Sequence, residues 1–306
     1  MDYELLLFDR LEILKSMNIK YDLENNGYIS FSGGKDSTIL SHLIDLALPN
    51  NRIPRVFINT GIEYIDIVKY VKELAKKDDR FVIVQPSKNI KETLELYGYP
   101  FKSKMHSKKV SIYKNNGLTE YIKQYLKGVK KDGGKSNYVC PKILQYQFTE
   151  KFNKFKISNL CCDKLKKEPA KKWAKKNHRT ILITGMRKEE GGARSTNISC
   201  VITDKNNNAV KLHPLVVVSE EWENEFVKRN DIKLCKLYYP PYNFKRTGCK
   251  GCPFALELQE QLSVMEKLLP NEYKQCEVIW KPVYEEYRRL NYRLTKDRQL
   301  TIDDLL

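Results

Sequence analysis

The sequence predicts an α/β fold, a doubly wound parallel sheet followed by a cysteine-containing helical region. Three observations carry that prediction. The apolar run Tyr28 to Phe31 stops at Ser32-Gly33-Gly34-Lys35-Asp36-Ser37, and Ile39, Leu40, Leu43, Ile44 and Ala47 follow at helical spacing. A second run from Arg55 ends in Asn59-Thr60-Gly61, ahead of an amphipathic helical pattern from Glu63 to Lys76. A third, Phe81 to Pro86, completes the alternation. Strands that alternate with helices at this spacing form parallel sheets, because each crossover helix returns the chain to the same edge.

Ahead of the first strand, Leu6, Leu7, Leu11, Ile13 and Leu14 predict a helix that packs beside the sheet. The expected organisation is an N-terminal helix over 1–24, an α/β domain over 25–218 with a basic insertion at 102–138, and a C-terminal region over 219–306. Helical patterns also run from Pro141 to Lys156, Phe254 to Leu269 and Glu272 to Leu290, and another buried strand begins at Thr180.

With 306 residues the chain is long enough for a full core. Asp2, Glu4, Asp9 and Arg10 interrupt the first apolar residues, and no stretch is apolar enough to span a bilayer, so a soluble, cytoplasmic protein without membrane contact is expected. In that compartment, eight cysteines point to metal or redox use rather than to a disulfide framework. The net charge of +17 fits a polyanionic partner, or a proteome rich in lysine. Ten lysines fall between Lys102 and Lys135, interleaved with Tyr113, Tyr121 and Tyr125. Such a segment suits phosphate contacts with base stacking, closure over a bound nucleotide, or simple solvation.

The stretch Ser32–Ser37 carries the chemistry. A strand, a glycine turn and a helix start aim backbone N–H groups and the positive helix end at an anion. Gly33 and Gly34 permit close approach, the hydroxyls of Ser32 and Ser37 can donate, and Lys35 adds charge. Asp36 reads either as a helix-start residue or as a magnesium-side ligand. Ligands of such sheets bind beyond the carboxyl ends of the strands, which puts Asn59, Thr60 and Gly61 on the same rim.

The spacing is not that of the P-loop. Ser-Gly-Gly-x-Asp-Ser instead resembles the pyrophosphate loop of the PP-loop ATP pyrophosphatase and sulfonucleotide reductase superfamily, whose adenine nucleotide alpha hydrolase-like fold agrees with the alternation above. That family commonly ends its second strand in Asp-Thr-Gly, where this sequence has Asn59, with Glu63 nearby. Cys161-Cys162 and the distant Cys249-Lys-Gly-Cys252 resemble the [4Fe-4S] signature of assimilatory adenylyl-sulfate reductases, with Lys166 and Pro169 at matching places and Leu165 where arginine is usual. Arg187 and Arg194 resemble the family's phosphate- or sulfate-binding arginines, guanidinium forks being suited to those oxygens. Lys211 to Leu215 and Trp222 are similar to its Pro-Leu-x-x-Trp segment. His213 lacks metal-ligand spacing and reads as structural.

The resemblance implies an adenine nucleotide such as ATP, ligands for it in Ser32, Gly33, Gly34, Lys35, Asp36, Ser37, Asn59, Thr60, Gly61 and Lys166, and Mg2+ sharing the phosphate charge. It implies catalytic roles for Lys35, Asp36, Arg187 and Arg194, and a cluster held by Cys161, Cys162, Cys249 and Cys252. It omits one feature, since sulfonucleotide reductases attack with a cysteine in a Glu-Cys-Gly-Leu-His motif that this sequence lacks. Cys276, in a helical stretch without that glycine and histidine, is a poor substitute. The expected reaction is therefore cleavage of ATP to AMP and pyrophosphate in sulfur transfer to tRNA or DNA, with a sulfur donor or reductant protein as partner. Four thiolates leave no open iron for carrying sulfur. The alternatives are a sulfonucleotide reductase releasing sulfite and a non-catalytic nucleotide or redox sensor.

Overall fold

The computed structural model describes residues 2–190 and 199–295. Its helices are α1 (Tyr3–Tyr21), α2 (Leu23–Asn26), α3 (Lys35–Ala47), α4 (Ile65–Lys77), α5 (Ile90–Tyr97), α6 (Lys104–Asn116), α7 (Glu120–Lys127), α8 (Glu168–Lys176), α9 (Glu220–Arg229), α10 (Leu258–Leu268), α11 (Pro270–Ile279) and α12 (Lys281–Leu290). Its strands are β1 (Gly27–Ser30), β2 (Arg55–Ile58), β3 (Phe81–Val84), β4 (Ile181–Ile183), β5 (Val201–Thr203) and β6 (Ala209–Leu212).

Two compact units result, one made of Met1–Ser87 with Lys166–Gly248, the other of Lys88–Leu165 with Cys249–Leu306. Each unit is built from two stretches of chain, where the sequence reads as contiguous blocks. Contacts between residues distant in sequence decide this grouping, and local patterns do not carry them. Among the described residues no helix is long and apolar enough to cross a membrane.

The first unit holds the predicted doubly wound sheet, in the order β3-β2-β1-β4-β6-β5. The ladders from β3 to β6 are parallel, and β5 joins β6 antiparallel. Ile29, Val56 and Phe57 are buried between the helix layers, as strands covered on both faces require. Helix α3 buries Ile39, Leu40, Leu43, Ile44 and Ala47, the residues whose spacing predicts it. The strand order reverses between β1 and β4, so the loop after β1 leaves the sheet where such folds open a ligand crevice.

The second unit is helical and differs from the sequence reading in three places. The pattern from Pro141 to Lys156 yields only the 3-10 helix Lys142–Phe148, closed by the Thr149 hydroxyl donating to the Tyr146 carbonyl at 2.7 Å. Glu272 to Leu290 divides into α11 and α12, because Pro282 has no N–H to continue the first helix. The basic segment folds as α6 and α7. There Lys109 is buried, its Nζ 3.3 Å from the Tyr121 ring centroid and 4.7 Å from that of Tyr125. Lys114 is tied to the carbonyls of Thr149 and Phe152. Part of the lysine–tyrosine interleaving is thus internal packing.

Candidate functional site

Serine hydroxyls organise the turn after β1. The Ser32 N–H donates to Ser37 Oγ at 3.2 Å, and the Gly34 N–H donates to Ser32 Oγ at 3.2 Å. Ser37 and Thr38 in turn donate to the Gly34 carbonyl at 2.9 and 3.0 Å. Gly33 has φ +72°, and a Cβ there would stand 2.9 Å from Ile67 Cγ2, so both conformation and space require glycine. Gly34 is the N-cap of α3 and offers no side-chain cap, which leaves the positive end of a thirteen-residue helix facing the turn.

A cavity of about 840 Å³ opens beside this turn, within the first unit. Ser32, Gly34, Lys35, Asp36 and Ser37 line it, as does Lys166. Gly33 packs against Ile67 and Val71 instead, and Asn59, Thr60 and Gly61 do not line the cavity. Asn59 accepts from the Gly61 N–H at 3.3 Å, while Thr60 donates its N–H and hydroxyl to Glu63 at 2.9 Å. Glu63, buried and paired with Lys166 at 3.3 Å, is the member of that loop that reaches the cavity.

Behind the turn lies a charge cluster that sequence reasoning found only in part. Arg187 Nε stands 3.9 Å from Asp36 Oδ1 and 3.2 Å from Glu223 Oε1. Lys35 Nζ reaches Glu220 and Asn224 at 3.3 Å and Glu223 at 3.6 Å. Lys35, Asp36 and Arg187 are therefore brought together as predicted, and Arg194 lies outside the described residues. Glu223 was not predicted. It follows Trp222 on the face of α9 that points inward, and its oxygens are buried without hydrogen-bond partners among the described residues. Burial, and then Asp36, push its carboxyl up to about 8 against the pull of Arg187 and Lys35. The helical spacing of Trp222, Glu223 and Phe226 is the signal that could have shown this carboxylate turned inward.

Tyr238 and Thr247 were missed as well. The Lys35 N–H donates to the Tyr238 hydroxyl at 3.0 Å, and that hydroxyl shares a 2.7 Å hydrogen bond with Thr247. Burial holds the phenol at about 12, so it stays protonated at neutral pH. His213 is structural, buried and bonded through Nδ1 to the Thr184 hydroxyl at 2.7 Å.

In the second unit the four signature cysteines share one neighbourhood. The Cys161 thiol is pushed up, first by its hydrogen bond with Cys162, then by burial and by the proximity of Cys252 and Cys249. Among the described residues no three His, Cys, Asp or Glu side chains stand at metal-holding separation. The segment bearing Cys249 and Cys252 is held by its carbonyls. Trp280 Nε1 donates to Lys250 at 3.1 Å, Tyr284 to Gly251 at 2.5 Å, and Tyr287 to Pro253 at 2.9 Å. Gly251 has φ +58°, and a Cβ there would lie 2.8 Å from Cys276 Sγ. Cys276 is buried inside α11, and burial pushes its thiol up to about 12.

The phosphoadenosine phosphosulfate reductase domain model matches residues 26–136 and 135–255, most of the chain. The chain belongs to this family. It is also 34% identical over 136 residues to an uncharacterised protein of Methanocaldococcus jannaschii, across 42% of this chain and 32% of that protein. The chain thus spans about a third of the length of the curated relative it matches. Among solved structures it is similar to the phosphoadenylyl-sulfate reductase of Candida auris, in its phosphate complex, at 13% identity and TM-score 0.45, covering 78% of this chain and 87% of that one. The Candida glabrata FMN adenylyltransferase with ATP gives 15% identity and TM-score 0.45, over 81% and 63%. The U34-tRNA thiolase of Methanococcus maripaludis with its [4Fe-4S] cluster gives 13% and 0.38, over 98% and 83%. None of these similarities assigns a reaction to this chain.

Proposed function

We propose that this member of the family binds ATP and cleaves it at the α-phosphate, in adenylation-dependent sulfur transfer to a nucleic acid. The observation that carries this reading is the turn Ser32–Ser37 at the mouth of β1, with the start of α3 behind it, Lys35 and Arg187 both close to Glu223, and Arg187 3.9 Å from Asp36. Such an array suits a pyrophosphate leaving group, whose charge Mg2+ would share. An acceptor oxygen attacks the α-phosphorus, the bond to pyrophosphate breaks, and a sulfur nucleophile then displaces AMP together with that oxygen. Asn59, Thr60, Gly61 and Arg194 serve the nucleotide in the roles their motifs imply, and Lys166 from the cavity lining.

The four thiols of Cys161, Cys162, Cys249 and Cys252 supply the donor set of a [4Fe-4S] cluster. When bound, such a cluster supplies a redox-active centre. Helices α11 and α12 fix the segment that presents two of its ligands.

The reductase reading needs a mobile, activated thiol, and Cys276 is neither, buried as it is with its proton retained. The deciding experiment is an anaerobic product assay with ATP, adenylyl sulfate or phosphoadenylyl sulfate, a thiol reductant and bulk tRNA or DNA. AMP with pyrophosphate is expected. Sulfite from either sulfonucleotide overturns the transferase reading, and tight nucleotide binding without turnover points to a sensor.

A further inference from the structure

The cavity has a wall that the pyrophosphate loop does not explain. Lys167, just ahead of α8, and Lys171 and Lys175 along it line the cavity at intervals of four residues, with Ala170 and Ala174 beside them. Residues four apart lie on one helix face, at about 6 Å per step along the axis. Lys211 on β6 and Lys245 extend the same lining. Only two lining carboxylates accompany them, and both are engaged, Glu63 by Thr60 and Lys166, Asp36 by Arg187.

Elsewhere in the protein exposed lysines pair with carboxylates three residues away, as Lys15 does with Glu12 and Lys76 with Glu73. Lys171, Lys175, Lys211 and Lys245 are exposed and make no ion pair among the described residues. Their charge is unneutralised where it faces a cavity. A crossover helix runs antiparallel to the strands it joins, so the row starts near the carboxyl edge that carries Ser32–Ser37 and leads away from it. From Lys167 to Lys175 it extends about 12 Å. A triphosphate held at the turn concentrates its charge at one end of that row. Evenly separated charges match the phosphodiesters of a strand instead, and the apolar floor formed by Tyr28, Phe57 and Leu182 leaves room for a base.

We propose that the Lys171–Lys175 face of α8, with Lys211, binds the backbone of a single-stranded nucleic acid whose reactive base enters the cavity beside Ser32–Ser37. The assignment of that strand as the acceptor rests on the adenylation reading above; its binding does not. The surface is distinct from the lysine-rich segment 102–135, which belongs to the other unit.

The test measures fluorescence anisotropy of a labelled single-stranded RNA of about a dozen nucleotides, a length that fills typical sites. The full chain is compared with K171E/K175E and with K104E/K108E, a reversal of equal charge and spacing on exposed positions of α6. All three should melt alike. The α8 variant should bind RNA at least tenfold more weakly, with a salt slope lower by about 1.4, two contacts at about 0.7 each. The α6 variant should match the unmodified chain. Equal losses in both variants would reduce the effect to net charge and overturn the proposal, as would no loss in the α8 variant. A third arm titrates adenosine 3′,5′-bisphosphate. If the α8 variant weakens it as much as RNA, the row serves a nucleotide's second phosphate and the proposal fails. Absent RNA binding by the unmodified chain with ATP cleavage intact would sink this proposal alone, whereas absent cleavage with RNA binding intact would sink only the adenylation reading.

Discussion

Glu223 and Glu286 are both buried glutamates, at 0% and 2% exposure, and their surroundings drive them in opposite directions. Around Glu286 burial alone would raise the carboxyl, but hydrogen bonds from Arg289, Lys154 and Tyr146 outweigh it and bring the group down to about 2. Lys154 donates at 2.7 Å and Arg289 twice at 2.8 Å. Around Glu223, Arg187 at 3.2 Å and Lys35 at 3.6 Å make no well-aligned hydrogen bond and only partly offset burial and the neighbouring Asp36, and the carboxyl rises to about 8. A satisfied buried carboxylate holds a fold together. A dissatisfied one beside a candidate phosphate site costs stability, and such costs gather where function is placed.

The largest effect expected from breaking this contrast is at Glu286. Glu286→Gln should lower stability in urea unfolding at pH 7 by about 3 kcal/mol, the loss of hydrogen bonds to a charged group. Because the folded carboxyl lies below its ordinary value, its contribution is present above about pH 4.3 and disappears as pH falls toward about 2. The variant should lose that acid-sensitive step. A change below about 1 kcal/mol would erase the distinction between the two glutamates.

Glu223 has the reverse sign. Its folded carboxyl retains a proton that the unfolded chain gives up, so stability falls as pH rises from about 4.3 toward about 8. Glu223→Gln should flatten the melting profile across that window and leave the protein more stable by about 1–2 kcal/mol above it, the cost of a buried unsatisfied group. An unchanged profile would mean that Lys35 and Arg187 already compensate the charge.

Lys35→Met sharpens the same point from the cation side. Losing the ammonium 3.6 Å away should move the Glu223 step to higher pH. It should also weaken nucleotide binding in calorimetry by about tenfold, roughly 1.4 kcal/mol. The smallest effect belongs to Tyr238→Phe, which removes the acceptor of the Lys35 N–H and should cost about 1 kcal/mol in unfolding free energy.

How much of this was legible in the sequence differs between the two units. In the first, Tyr28 to Ala47 announces strand, turn and helix because each element is dictated by neighbours in the chain. The Ser32–Ser37 turn is legible because its geometry needs glycine and hydroxyls at fixed spacing. In the second, the helical pattern of 141–156 misleads, since a 3-10 turn and a loop bury the same residues. The lysines and tyrosines of α6 and α7 look like a binding surface in sequence. Lys109, however, lies against two rings of its own unit.

The sequence by itself determined the doubly wound sheet, the glycine turn after its first strand and the cysteine pairs, because local periodicity and motif spacing act over a few residues. Only the tertiary structure decided that Glu223 on α9 sits against Lys35 and Arg187, that Trp280, Tyr284 and Tyr287 grip the segment from Cys249 to Pro253, and that Lys171 and Lys175 of α8 line the cavity. Burial and cross-chain proximity set those roles, and both arise from contacts between residues far apart in the chain.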